Sequence, residues 1–208
     1  MIKFLLVLVP LLVGFLLKLP SFKGWLGEKM IVLKARFSLP KDDYTGFHNV
    51  TLPDGDGTTQ IDHIFVSRFG VFVIETKNMK GWIFGHSSQP YWTQSIFKKK
   101  CQFQNPIRQN FKHIKTLEDL LDVQLVKFKS VVVFVGDCEF KTEMPPSVCT
   151  LGNFTDYIKS FQELVFAEDE LLEIKDKIEK GRLLPCHATN KAHVEYLKRK
   201  HKGKGESG

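Results

Sequence analysis

Residues 60–80 constrain this chain more than any other stretch. Two apolar runs, Ile64-Phe65-Val66 and Val71-Phe72-Val73-Ile74, flank Arg68-Phe69-Gly70, the pattern of two β-strands joined by a tight turn. Set into that hairpin are Asp62, Glu75 and Lys77. A charge inside a strand is costly unless it is paired or put to use. Side chains alternate along a strand, so Glu75 and Lys77 share a face with Val71 and Val73. If Val66 pairs with Val71 across a four-residue loop, Ser67 to Gly70, then Asp62 falls opposite Glu75 on that face. A slip of one residue sends Asp62 to the other face.

The chain of 208 residues has room for one ordinary domain with extensions. Its net charge of +7 suits a polyanion or an anionic membrane surface, and equally a solvated surface with a basic bias. Cys101, Cys138, Cys149 and Cys186 include no C-x-x-C pair. That argues against a zinc site or a disulfide framework and for reduced thiols in the cytosol.

Residues 4–17 carry no charge, with Lys3 before them and Lys18 after. No small-x-small cleavage site follows, which disfavours a secretory signal peptide. Pro10 and Gly14 disfavour a buried soluble helix. The reading preferred is an uncleaved N-terminal membrane anchor over residues 1–20. Lys18, Lys23, Lys29, Lys34 and Arg36 follow it and place the body of the protein on the cytoplasmic side.

Ser21 is the expected cap of a helix reaching Ser38, with Phe22, Trp25, Leu26, Leu33 and Phe37 as its apolar positions. Glu28 alone reads as a solvent-facing helix acid. Residues 44–52 form an expected strand, and Pro53-Asp54-Gly55-Asp56-Gly57 a plain turn, since the rest of a calcium loop is missing. After the central hairpin, Trp82 to Gly85 and Tyr91 to Gln94 suggest a second hairpin, followed at once by Lys98, Lys99 and Lys100. Aromatics beside that basic run suit a nucleic-acid groove or, equally, a solvated edge strand. Asn105-Pro106 starts a helix with an apolar stripe of Ile107, Phe111, Ile114, Leu117 and Leu121. Gln109 lies off that stripe, and Arg108, Lys112 and Lys115 make a basic edge. Residues 129–136 are a strand buried on both faces, and 148–151 a shorter one. Helices are expected over 155–166, 168–180 (stopped by Gly181) and, capped by Thr189, through Lys200.

Two facing carboxylates with a lysine two residues on can hold a hard divalent cation such as Mg²⁺, with the Thr76 carbonyl as a further oxygen. Such an ion activates water and stabilises charge on a phosphodiester, and Lys77 can orient or deprotonate that water. The plain alternative is a hairpin in which Lys77 only pairs with Asp62 and Glu75.

Over residues 23–121 the sequence resembles the nuclease-related domain (NERD) family, a branch of the PD-(D/E)xK nuclease superfamily. The resemblance is carried by Gly27-Glu28, Gln60-Ile61-Asp62-His63, Gly70-Val71-Phe72-Val73-Ile74-Glu75-Thr76-Lys77-Asn78, Lys80-Gly81, Trp92, Asn105-Pro106 and Gln109-Asn110. It implies an α/β, restriction-endonuclease-like core of one helix, a three-stranded antiparallel meander, a second helix and a further strand. It also implies catalysis assisted by Mg²⁺ or Mn²⁺. Asp62, Glu75, Thr76 and Glu28 would form the metal set, Lys77 would act on water, and Gln109 would orient a water or a phosphate. The proline of the superfamily signature is absent, for Ile61 precedes Asp62.

The expectation is therefore a membrane-anchored nuclease, acting on DNA, with Lys98, Lys99, Lys100, Arg108, Lys112 and Lys115 meeting phosphates. Its parts would be an anchor over 1–20, a nuclease-like domain over 21–152 and a helical extension with a basic tail over 153–208. The alternative is a non-catalytic module that binds nucleic acid or protein at the membrane.

Overall fold

The computed structural model describes residues 20–184, with 189 and 194–196. The expected anchor and most of the expected last helix lie outside the described residues. A helix, α1 (Pro20–Ser38), leads into three antiparallel strands, β1 (Tyr44–Asp54), β2 (Gly57–Ser67) and β3 (Gly70–Asn78). A small meander follows, β4 (Gly81–Phe84), β5 (Tyr91–Ile96) and β6 (Lys99–Gln104). Next come α2 (Pro106–Leu121), a 3-10 turn (Leu125–Lys127), β7 (Phe128–Val135), β8 (Cys138–Phe140), β9 (Val148–Thr150), α3 (Phe154–Lys159) and α4 (Glu168–Gly181).

The main sheet has the order β1-β2-β3-β7-β9 and the smaller one β6-β5-β4-β8. β7 runs parallel to β3, because α2 carries the chain across one face of the sheet between them. Ile64, Val66, Val71 and Val73 face α2 and α4 through Ile114, Leu117, Leu121, Leu171, Ile174 and Ile178. On the opposite face Phe65, Phe72 and Ile74 meet Ile31 and Ala35 of α1 and Phe154 and Ile158 of α3. The core is thus the expected helix, meander, helix and strand, with helices on both faces of one sheet.

Several local expectations need correction. The turn between β2 and β3 has two residues, Arg68 and Phe69, because Ser67 and Gly70 already pair. β1 and β2 extend to a two-residue turn at Gly55 and Asp56. Helix α1 is already helical at Pro20, so Ser21 lies within it and is not its cap. Its buried positions are Gly27, Ile31 and Ala35, whereas Trp25, Leu26, Leu33 and Phe37 are exposed. In α2, Phe111 points outward, and Asn110 and His113 take the inward positions. The helix expected over 155–166 ends at Lys159; beyond it the backbone N–H groups of Val165 and Phe166 bond the Arg68 carbonyl.

Asn105 fixes how the small sheet meets α2. Its Oδ1 accepts from the Ile107 N–H as an N-cap, with Pro106 at the first helical position. Its Nδ2 donates to the carbonyls of His86, Ser87 and Gln89 at 3.3, 3.0 and 2.7 Å. One buried side chain therefore holds both the helix start and the β4–β5 loop. Asn105→Ala should cost about 2–3 kcal/mol, a cap plus an unpaired buried polar group. Asn105→Asp keeps the cap acceptor but loses the donor, and should recover only part of that loss in thermal unfolding.

Candidate metal and nuclease site

The β2–β3 ladder runs from Ser67↔Gly70 through Val66↔Val71 to His63↔Ile74 and stops there. One further step in that register puts Asp62 opposite Glu75, as the spacing requires. The Asp62 carboxylate instead accepts the Thr76 N–H at 2.7 Å, which closes the end of the ladder. The strands part at this point because β1 and β2 change faces together. Phe47, Val50 and Leu52 all lie in the α2-side core, so alternation breaks at Asn49, whose φ is 53°. On β2 the α2-side positions are Ile61, then Ile64 and Val66, so the break falls at Asp62 and His63.

Groups from both helical layers reach this gap. Glu28 comes from α1, half-buried and hydrogen-bonded to Asn49. Glu75 comes from the α2 side with only 3% of its side chain exposed. Its Oε1 accepts from Lys77 Nζ at 2.6 Å, and that same Nζ donates to Gln109 Oε1 at 2.9 Å. Its Oε2 lies 3.3 Å from His113 Nε2, without the alignment of a hydrogen bond. His113 Nδ1 is 2.8 Å from Thr59 Oγ1. With that hydroxyl donating, the Nε2–H is left facing Glu75, a tautomer assigned from the partners.

The electrostatics separate the carboxylates. Burial pushes Asp62 well above the usual carboxylate range, and repulsion from Glu75 and Glu28 adds to it. Burial also raises Glu28, with a contribution from Glu75. Burial alone would raise Glu75 too, but Lys77 and His113 outweigh it, and its net shift is downward. Environments that push neighbouring carboxyls apart in this way are typical of functional sites.

The structure joins Glu75, Lys77 and Gln109 by hydrogen bonds and puts Asp62 and Glu28 within electrostatic range of Glu75. The Thr76 carbonyl leaves β3 on the same edge as its N–H, the edge that faces Asp62. Among the described residues, no three His, Cys, Asp or Glu side chains gather closely enough to hold a metal ion. The donor chemistry nevertheless fits a hard divalent cation. The side-chain donors are carboxylates, Glu75 Oε2 lacks an aligned partner, and two of the three acids are raised by burial, with a contribution from mutual repulsion that a cation would relieve.

Sequence reading missed His113 and Asn49. His113 lies one turn beyond Gln109, so the signal was present, but an apolar stripe drawn through Phe111 hid it. Asn49 had no signal, because its role depends on a left-handed backbone.

The basic residues fall into two groups. Arg108 donates to the Ser88 carbonyl, Lys112 pairs with Asp54, and Lys115 pairs with Glu118. These three are held within the molecule. Lys98, Lys99 and Lys100 are exposed at the β5–β6 hairpin tip, beside a fully exposed Phe97. That tip stands next to the end of β3, for Gln94 donates to the Lys80 carbonyl and Trp82 pairs with Ser95.

The nuclease-related domain model matches residues 23–135. The chain belongs to the NERD family. NERD domains form part of the PD-(D/E)xK-like nuclease superfamily, and membership carries a nuclease-related function and, in general, use of a divalent metal. A similar protein is an uncharacterized protein of Bacillus anthracis, 38% identical over 199 residues, covering 93% of this chain and 92% of that one. No solved structure matches. In this NERD chain the matched region spans α1 to β7, so it contains every group at the site. It ends before α4, although α4 supplies Leu171, Ile174 and Ile178 to the same core.

Beside Asp62, His63 is fully buried, and its Nδ1 lies 3.0 Å from His48 Nδ1. Burial and the neighbouring His48 and Lys29 lower its pKa to about 3. A folded-state pKa below the unfolded value gives stability that is complete above about pH 6.5 and lost as pH falls toward the folded pKa. The loss should be about 1.4 kcal/mol per pH unit in that window. Denaturant unfolding at pH 7 and pH 5 should show this slope, and His63→Leu should flatten it.

Proposed function

We propose that this protein is a membrane-tethered nuclease that cleaves DNA with the help of Mg²⁺ or Mn²⁺. The observation that carries the reading is the Lys77 amine shared between Glu75 and Gln109 where β2 and β3 part, with Asp62 and Glu28 within electrostatic range of Glu75. Glu28, Asp62 and Glu75, with the Thr76 carbonyl, would hold the ion. When bound, the ion supplies charge stabilisation at the phosphodiester and lowers the pKa of a water.

The protein's own groups have separate tasks. Lys77 keeps Glu75 ionised in a buried position, so a carboxylate is ready there. Its Nζ, shared between Glu75 and Gln109, would hold or pass a proton at the attacking water or meet charge on the phosphate. Gln109 positions that amine. Lys98, Lys99 and Lys100 would contact the backbone near the site, which makes binding salt-dependent. Arg108, Lys112 and Lys115 would have to exchange their internal partners to do the same.

Residues 4–17 support a membrane tether, and Lys18, Lys23, Lys29, Lys34 and Arg36 after them support a domain on the cytoplasmic side. No described helix is long and apolar enough to cross a membrane, and the tether falls on residues outside that description. One observation favours a second reading, a binding module without turnover: Glu75 has Lys77 and His113 beside its two oxygens.

An assay of plasmid, linear single-stranded DNA and RNA with Mg²⁺, Mn²⁺ or EDTA distinguishes the two. Cleavage of DNA should need the metal. Asp62→Asn, Glu75→Gln and Lys77→Met should each lower it by roughly two orders of magnitude or more, with circular dichroism unchanged. Metal-dependent cleavage that survives in all three variants would remove the site from the proposal. DNA binding without turnover in the parent protein would favour the binding module. The tether predicts that the full chain stays with membranes through a carbonate wash, and that Leu8→Asp with Leu12→Asp releases it.

A further inference from the structure

Helix α1 is apolar on two opposite sides. One side, Ile31 and Ala35, is buried against the sheet. On the other, Leu26, Met30, Leu33 and Phe37 follow one another at four, three and four residues and are 37%, 39%, 56% and 80% exposed. At 3.6 residues per turn these four form one stripe along the helix. The same spacing places Lys23 and Lys34 along one margin of the stripe and Lys29 and Arg36 along the other. Glu28, the only acid in α1, lies on the side away from it, toward the site.

We propose that this outer face of α1 lies flat in the headgroup region of an anionic bilayer. The inference deepens the membrane reading above and rests on it. Two observations select lipid as the occupant. First, the uncharged residues 4–17 end a few residues before α1 begins, so a chain tethered through them brings this stripe to the surface of the same membrane. Second, all four flanking charges are basic. A second copy packed along the stripe as a coiled coil would set Lys29, Lys34 and Arg36 against like charges at the flanking positions. Anionic headgroups instead complement them, and lysine and arginine stems can lie along the apolar boundary with their charges in the headgroups. The docked orientation turns Glu28 and the site away from the lipid.

The test uses the full chain with Trp25→Phe and Trp82→Phe, leaving Trp92, which is buried, as a constant background. Phe37→Trp places a reporter on the stripe. Leu172→Trp, on the exposed side of α4 across the sheet from α1, is the control. Each protein is reconstituted into vesicles of phosphatidylcholine with phosphatidylglycerol, with and without bromine on the acyl chains. Brominated lipid should roughly halve the emission of the Phe37→Trp reporter, as for an interfacial helix, and leave the Leu172→Trp reporter unchanged. Adding Lys29→Glu and Lys34→Glu should bring the stripe reporter back toward the control. Equal quenching of the two reporters in a chain that stays with the vesicles overturns this inference and leaves the tether standing. A chain that does not associate with vesicles overturns both, without bearing on the nuclease assay. A dimer that dissociates on Leu33→Glu, or a cross-link placing residues 4–17 along the stripe, assigns the face to another occupant and also overturns it.

Discussion

The buried carboxylate of Glu75 is the constraint around which the rest is arranged. An ionised group with so little exposure is tolerable only with charge and hydrogen bonds close at hand. Lys77 supplies the charge from two residues along the same strand face. Such a pair leaves Lys77 with one obligation and Glu75 with a second oxygen; α2 meets the first through Gln109 and brings His113 within 3.3 Å of the second without an aligned hydrogen bond. Asn110, between them, donates to the Val73 carbonyl and to Ser130 Oγ, which ties the helix to β3 and β7. The first half of α2 therefore cannot present a purely apolar face to the sheet. Ile107 packs against the smaller cluster of Ile83, Trp92 and Phe134, packing into the large core begins only at Ile114, and Phe111 is turned to solvent.

This explains which parts of the molecule were legible in the sequence. The hairpin register, conditional in the sequence on Val66 pairing with Val71, is the one observed, although both runs are apolar on both faces and only the charged residues distinguish a slip. The buried strand β7 and the Asn105-Pro106 helix start were equally plain, because each depends on a few adjacent residues. The inner face of α1 was not. Its outer stripe is more hydrophobic than its inner one, and a periodicity argument assumes that the more hydrophobic side faces inward. At the site, Asp62, Glu75 and Lys77 were readable from strand spacing, whereas the closeness of Glu28 was implied only by family resemblance. His113 was lost for the physical reason given by α2: a polar site under a helix interrupts the pattern by which helices are read. Asn49 depends on a left-handed backbone and a break in alternation on two strands at once, and neither has a signature in one strand's sequence.

Helix α1 joins the two halves of the functional reading. It is fastened to β3 next to the site, with Asn78 Nδ2 donating to the Lys23 carbonyl at 2.6 Å. Gly27 allows that approach, for a Cβ there would come within 3.3 Å of the Asn78 Cβ. Asn78 directly follows Lys77, so the strand that carries Glu75 and Lys77 also anchors the helix that carries Glu28. A rigid attachment at this point has a consequence for any membrane tether. A tether over residues 4–17 would lead into α1 at its start, and the helix is held to the sheet within its first two turns. The orientation of the site relative to such a bilayer would then follow that of α1. Glu28 and the apolar stripe occupy opposite sides of that helix, so a surface that took the stripe would lie on the far side of the helix from the gap between β2 and β3.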